Sequence, residues 1–504
     1  MNTFADPLRH ARLVAAARTA VIDGDRRLSY AQLADRCGRL VACLRSMGLR
    51  KGDRVAILAA NGHAYLETYV GVPAGGMVVV PLNTRHAPAE LEYALRDSGA
   101  RVLITDRPPG ALTDVVERVV MLGEPYESLL ATHEPATLGV DVDERDLAGL
   151  FYTGGTTGAS KGVMLSHRNL IANTYHWLTL APQHENDVYL VAAPLFHAAG
   201  SNAVLATIWT AGTQVILPAF DPAAALDLIA KHNVTITLGV PTMLAALANE
   251  QIERPRDTRS LRLLGHGGSP IATEVLRRCC AAFLNAELLE VYGATELSPL
   301  ATILLGERAL IDHPRARSCG RPVIGGQVRV VDLDGRTLPP GEVGEVVVSG
   351  PQVMQGYWNK PEQTARALRN GEYWSGDLGY MDAEGYLFLV DRAKDMIITG
   401  GENVYSTEVE EVLYRHPAVL EAAVFGVPDE KWGEAVHAVV VPRADHEDLD
   451  VAVLIEFCRE QIAHYKAPRS IDIRREPLPK SGPGKVLKRE LRAPYWKGQE
   501  RNVH

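Results

Sequence analysis

The chain has 504 residues, 46% hydrophobic and 22% charged, with a formal net charge of −9. That length supplies two to four structural units. The acidic balance argues against a general nucleic-acid or anionic-membrane surface, and no apolar run approaches the ~20 residues of a membrane span.

From about residue 54 to 300, short apolar runs alternate with helix-period segments. "RVAIL" (54–58), "MVVVPL" (77–82), "RVLIT" (101–105), "VYLVAA" (188–193), "TQVILP" (213–218) and "TITLGV" (235–240) read as buried strands, with helices such as "DPAAALDLIAKH" (221–232) between them. That rhythm predicts βαβ units with largely parallel sheets. Residues 306–390 change character: "QVRVVDLDGRTLPPGEVGEVVVSG" (327–350) alternates strands with Asp-Gly and Pro-Gly turns, as a small antiparallel or barrel-like unit would. A compact tail from about 392 mixes strand and helix patterns again, with no repeat or long linker. Cys37, Cys43, Cys279, Cys280, Cys319 and Cys458 show no metal-ligand spacing and read as free thiols. The stretch "LVAAARTAVIDGD" contains Arg18 and no convincing cleavage site, so the expected location is cytoplasmic.

Chemistry concentrates in a few segments. In "FYTGGTTGASKG" (151–162), Gly154, Gly155 and Gly158 let backbone N–H groups approach an anion, Thr153, Thr156 and Thr157 add hydroxyl donors, and Lys161 adds charge. Ser160 before the lysine and Gly162 after it rule out the ordinary P-loop. "EVYGATEL" (290–297) ends an apolar run with Tyr292, whose ring can pack a purine, and with Glu296, which can hold Mg²⁺. "YWSGDLGY" (373–380) sets Asp377 in a Gly-flanked turn suited to two ribose hydroxyls. "DRAKDMIITGGENVYSTEVE" (391–410) supplies Arg392 and Lys394, and "LPKSGPGKVLKREL" (478–491) carries Lys485 on a Pro/Gly loop.

Taken together and in this order, with "PLNTR" (81–85), "PLFHAAG" (194–200) and "GVPTM" (239–243), these segments resemble the adenylate-forming superfamily, in its acyl-CoA synthetase branch, over essentially the whole chain. The resemblance implies an α/β fold. A large N-terminal domain (1–391) would hold two βαβ-type sheet subdomains and a small β-barrel, followed by a smaller mobile α+β C-terminal domain (392–504). It implies a ligase that activates a carboxylic acid with ATP and Mg²⁺ to an acyl adenylate and passes the acyl group to CoA. By family role, Lys485 would bridge carboxylate and α-phosphate, with Glu296 and Thr153 beside it. Asp377 and Arg392 would hold ribose, and Tyr292, Gly293, Thr295 and Gly268 would surround the nucleotide. Lys394 would be the hinge, and Gly400, Gly401 and Glu402 would flank the pantetheine tunnel. His197, Val240, His266, Gly267, Ala294, Leu297 and Ser298 would line the acyl pocket.

Two departures stand out. Gly154 takes the place of the family's serine, which removes a hydroxyl worth ~1–3 kcal/mol where it bonds charge. Ser160 takes the place of proline, which is expected to loosen the loop. The pocket walls "HAAGSN" (197–202), "LGVPTM" (238–243), "GHGGSP" (265–270) and "LSPLAT" (297–302) are small and apolar with no arginine poised for a second carboxylate, so a hydrophobic monocarboxylate is expected. The alternatives are an enzyme acting mainly on preformed acyl adenylate and a free-standing adenylation enzyme that loads a carrier protein. A monomer or homodimer, with no nucleic-acid partner, completes the expectation.

Overall fold

The computed structural model describes residues 2–153, 160–392, 395–429, 431–444, 449–480 and 486–497, without the side chains of residues 199, 201 and 202. Two compact units emerge: residues 1–328 with 348–373, and residues 329–347 with 374–504. The expected boundary at 391/392 falls inside the second unit.

The first unit contains two sheets. One runs, in spatial order, Gly356–Tyr357, Lys161–Ser166, Leu147–Thr153, Val78–Pro81, Arg54–Leu58, Val102–Thr105 and Arg118–Met121. Its central strands pair in parallel, and both sides are covered, so the valine-rich strand Val78–Pro81 is buried throughout. The other has nine strands: Arg321–Pro322, Thr302–Leu305, Glu287–Tyr292, Leu263–Gly267, Ile236–Gly239, Val188–Val191, Thr213–Ile216, Thr19–Asp23 and Arg26–Ser29. Every strand read from the 54–300 rhythm is present, within two residues at each end.

Local sequence explains the helix starts. Asp221 caps Pro222–His232 by accepting from the Ala224 amide, Pro222 fixes the first turn, and Asn233 ends it in the left-handed region. Ser166 and Asn169 form a reciprocal cap on His167–Leu180. The Asn169 amide also donates to the carbonyls of Pro351 and Val353, both at 2.8 Å, which fixes the segment leading to Tyr357.

The second unit has its own sheet: Glu402–Val404, Ile397–Thr399, Gly433–Pro442 and Val419–Asp429, with Ser470–Ile473 parallel to Gly433–Pro442. Its core includes Ile397, Val404, Val409, Leu413, Val424 and Val436. Lys488 is partly buried here, 2.7 Å from Glu410 and 2.6 Å from the Ser406 hydroxyl. The 306–390 region yields a sheet of short antiparallel pairings, including Glu372–Met381 with Leu387–Arg392. Among the described residues, no helix is long and apolar enough to cross a membrane.

Candidate active site

The phosphate-loop candidates begin on an antiparallel hairpin in which Thr153 pairs with Lys161. Gly154, Gly155, Thr156, Thr157 and Gly158 lie outside the described residues, as do Lys394 and Lys485. At the base of the hairpin the Ser160 hydroxyl donates to the Thr153 carbonyl at 2.8 Å. The residue that replaces proline therefore restores some of the lost constraint with a hydrogen bond.

Lys161 stands with its ammonium 4.1 Å from the centre of the Tyr357 ring. The hydroxyl of the same tyrosine donates to Glu296 Oε1 at 2.8 Å. Burial, together with the neighbouring Glu296 carboxylate, pushes the Tyr357 phenol up, so it remains a donor. One aromatic side chain thus touches both charged candidates of the first unit. Tyr357 engages a single oxygen of Glu296, so the carboxylate keeps coordination capacity for a cation.

Glu296 is buried on the short helix Thr295–Leu297, just past the strand that ends at Tyr292. The turn between them needs glycine: a Cβ at Gly293 would lie 1.8 Å from the Pro299 carbonyl oxygen. Ser298 adopts a left-handed conformation (φ 65°), and its buried hydroxyl donates to the Gln352 carbonyl at 2.8 Å. That hydroxyl already has a partner, so a substrate would have to compete for it. Ala294 precedes the short helix in extended conformation and Leu297 is fully buried.

On the neighbouring strand, a Cβ at Gly267 would meet the Val291 carbonyl oxygen at 2.4 Å, so close strand packing dictates glycine there. Gly268 has φ +84°, and the nearest atom to a Cβ on it would be Val240 Cγ1 at 3.7 Å. These two candidates are therefore neighbours. His197 precedes the helix Ala198–Trp209, and desolvation lowers its pKa to about 4, so the imidazole is neutral at working pH.

His266 behaves differently from the expected pocket wall. It is fully buried, with Nε2 2.8 Å from Glu307 Oε2. It alternates with Gly265 and Gly267 along its strand, so its side chain projects to the opposite face from theirs. Burial opposes charge on the ring, but Glu307 outweighs it and the pKa is raised. Glu290 is paired in register with His266, and burial pushes its carboxyl up to about 7.

In the second unit, Asp377 and Arg392 are register partners on adjacent strands, with Arg392 Nε 3.0 Å from Asp377 Oδ1. Gly400 and Gly401 both take positive φ (61° and 84°). A Cβ on Gly400 would lie 2.6 Å from the Trp432 ring, whereas one on Gly401 would meet nothing within 4 Å among the described residues. Glu402 is exposed at the start of its strand. A separate cavity of about 310 Å³ in the first unit is lined by Asp23, Arg26, His63, Tyr126 and Glu127 among others, and by none of these candidates.

A family model described as AMP-binding enzyme matches residues 9–358, and one described as AMP-binding enzyme C-terminal domain matches residues 408–485. The chain belongs to the AMP-binding enzyme family. Feruloyl-CoA synthase from an Amycolatopsis species is 44% identical over 490 residues, covering 96% of this chain and 97% of that protein. The fatty acid–[acyl-carrier-protein] ligase ScoC of Streptomyces coeruleorubidus is 36% identical over 506 residues, covering 96% and 95%. The solved structure of o-succinylbenzoate CoA synthetase (MenE) from Bacillus subtilis, in complex with the acyl-adenylate intermediate OSB-AMP, has a TM-score of 0.87 and 31% identity over 96% of this chain and 97% of that one.

Two features of this AMP-binding enzyme escaped the sequence reading. Tyr357 lies 61 positions from Glu296, outside every motif that singled out a candidate. The His266–Glu290–Glu307 grouping depends on strand register. The legible signal was the presence of ionisable residues inside apolar strands, at "LLGHG" and "ELLEVY".

Proposed function

We propose that this chain is an AMP-forming acyl-CoA ligase for a largely hydrophobic monocarboxylic acid. The observation that carries the reading is its similarity, over nearly the full length of both proteins, to a feruloyl-CoA synthase at 44% identity. A substrate carboxylate oxygen attacks the α-phosphorus of ATP, and the bond to pyrophosphate breaks as the acyl–phosphate bond forms. The CoA thiol then loses its proton and attacks the acyl carbon, expelling AMP.

Two anions must meet in the first step, so the residues that matter are those that neutralise charge where it builds up. Lys161, poised on Tyr357, is the proposed phosphate cation at the neck of its loop. Glu296, oriented by the Tyr357 hydroxyl, would hold the Mg²⁺ that accompanies ATP; when bound, the ion offsets phosphate charge. Asp377 and Arg392 are the proposed ribose pair. Lys485 is proposed to join the carboxylate and α-phosphate in the first step only. The segment from 392 onward is proposed to turn about Lys394 between steps, bringing Gly400 and Gly401 to pantetheine. The neutral His197, Val240 and Gly268 suit an uncharged acyl chain or ring.

The test is a panel of hydroxycinnamic, benzoic and fatty acids, scored separately for pyrophosphate, acyl-AMP and acyl-CoA. The expected result is CoA-dependent thioester with stoichiometric AMP from aryl or fatty acids. Absence of pyrophosphate with every acid, alongside thioester from supplied acyl adenylates, would replace this reading with that of a thioesterifying enzyme. Similarity to an acyl-carrier-protein ligase supports carrier loading as the second reading, and a loaded carrier outcompeting free CoA would establish it.

A further inference from the structure

Behind the strands that present Gly267 and Tyr292 lies a group of side chains that the proposed reaction does not use. His266, Glu290 and Glu307 come from two adjacent parallel strands and the short helix Glu307–Leu310, and one ligand atom from each lies within 4.8 Å of the others. His266 and Glu307 are 0% and 1% exposed.

Their hydrogen bonding is incomplete. The His266–Glu307 contact uses Nε2 and Oε2 and leaves His266 Nδ1 and Glu307 Oε1 with no partner among the described residues. Buried polar atoms are almost always bonded, so two orphans on one contact call for a missing group. Both oxygens of Glu307 sit on one carbon, so the orphan oxygen stays within the group. A shared proton between His266 and Glu307 would leave that oxygen bare. The second carboxylate, Glu290, interacts with the buried thiol of Cys319.

We propose that His266, Glu290 and Glu307 form a structural site for a divalent transition-metal ion, with zinc the best match. The donor chemistry decides the class: a buried imidazole with two carboxylates suits zinc, whereas magnesium and calcium favour all-oxygen shells. Zinc ligands sit about 2.0–2.2 Å from the metal, so binding draws the three groups inward from their present spacing. The ion ties the strand ends Leu263–Gly267 and Glu287–Tyr292 to the helix at Glu307, bracing the backbone that carries Gly268 and Tyr292. It takes no part in acyl transfer.

The test uses the full chain purified from zinc-supplemented medium and dialysed against a weak chelator. Elemental analysis is expected to give about one zinc per chain, and His266→Gln and Glu307→Gln are each expected to reduce it to below about a tenth. To keep the test independent of folding in the variants, wild type is also unfolded with a strong chelator and refolded with and without zinc. Zinc should raise the melting temperature, and cobalt should give a visible absorption band from a four-coordinate site. Wild type that carries no metal and refolds to the same melting temperature without it would overturn the proposal. Zinc retained in both folded variants would mean an adventitious ion only, with the same consequence.

Discussion

Tyr357 joins the two charges proposed to serve the reaction and carries neither. Its hydroxyl fixes Glu296 and its ring lies under Lys161, so the two contacts can be separated by substitution. Tyr357→Phe keeps the ring and deprives a buried carboxylate of its donor. A lost hydrogen bond to a charged group costs about 1.5–3 kcal/mol, so pyrophosphate release should fall roughly 10- to 100-fold at limiting Mg²⁺. Excess Mg²⁺ should recover part of the loss if orientation of Glu296 is what failed. Tyr357→Leu also removes the cation–π contact, worth about 0.5–2 kcal/mol, and should add a rise in KM for ATP. An unchanged Mg²⁺ profile in Tyr357→Phe would reduce the tyrosine to a packing role. The sequence displayed Glu296 and Lys161 because they sit in short local motifs. It hid Tyr357 because a hydroxyl 61 residues away becomes a partner only once the sheet is assembled.

Two elements carry predictions of their own. The helix His167–Leu180 buries His167 and His176, and desolvation lowers each pKa to about 4. His167 Nδ1 accepts the Phe4 amide at 3.2 Å, which requires the neutral ring. In the unfolded chain these imidazoles titrate at their ordinary value of about 6.5, so on acidification the unfolded state takes up protons first. The stability they contribute is complete above about pH 6.5 and is lost as pH falls toward 4, by up to roughly 3 kcal/mol each. Denaturant melts at pH 7, 5.5 and 4.5 should show this slope, and His176→Gln should flatten it. An identical slope in that variant would assign the acid sensitivity elsewhere. The turn after Ile397–Thr399 separates two adjacent glycines by function. Gly400→Ala should lower the melting temperature because its Cβ would press on Trp432. Gly401→Leu, with open space around it, should cost only the left-handed strain of about 1–2 kcal/mol. It should slow conversion of acyl-AMP to acyl-CoA while leaving pyrophosphate release intact. Equal loss of both half-reactions would remove Gly401 from the proposed pantetheine path. Strand and helix positions such as "RVAIL" and "DPAAALDLIAKH" were legible because periodicity and caps are written locally. The pairing of His266 with Glu290 was not, because parallel register is set by the whole sheet.

At the scale of the molecule, the proposed division of labour predicts that the two steps fail separately. Lys485→Ala should cost about 10²–10³ in adenylation, by analogy with removal of one pre-organised transition-state donor. Supplied acyl-AMP plus CoA should still give thioester at near the unsubstituted rate. Pre-steady-state measurement of both steps checks this, and equal loss in both would remove the alternation from the mechanism. The Asp377–Arg392 pair bears on the same motion. Arg392 stands two positions before the proposed pivot at Lys394, and its register bond to Asp377 pins the last residue of its strand. On the proposed motion the pair would act as a stator, halting the stationary part of the chain at Arg392 so that a rotation would be absorbed by the few dihedral angles that follow. Asp377→Ala would therefore do more than remove one half of the proposed ribose pair. It would let the axle wander upstream, and a domain that swings about a wandering axle arrives accurately at neither of its two stations.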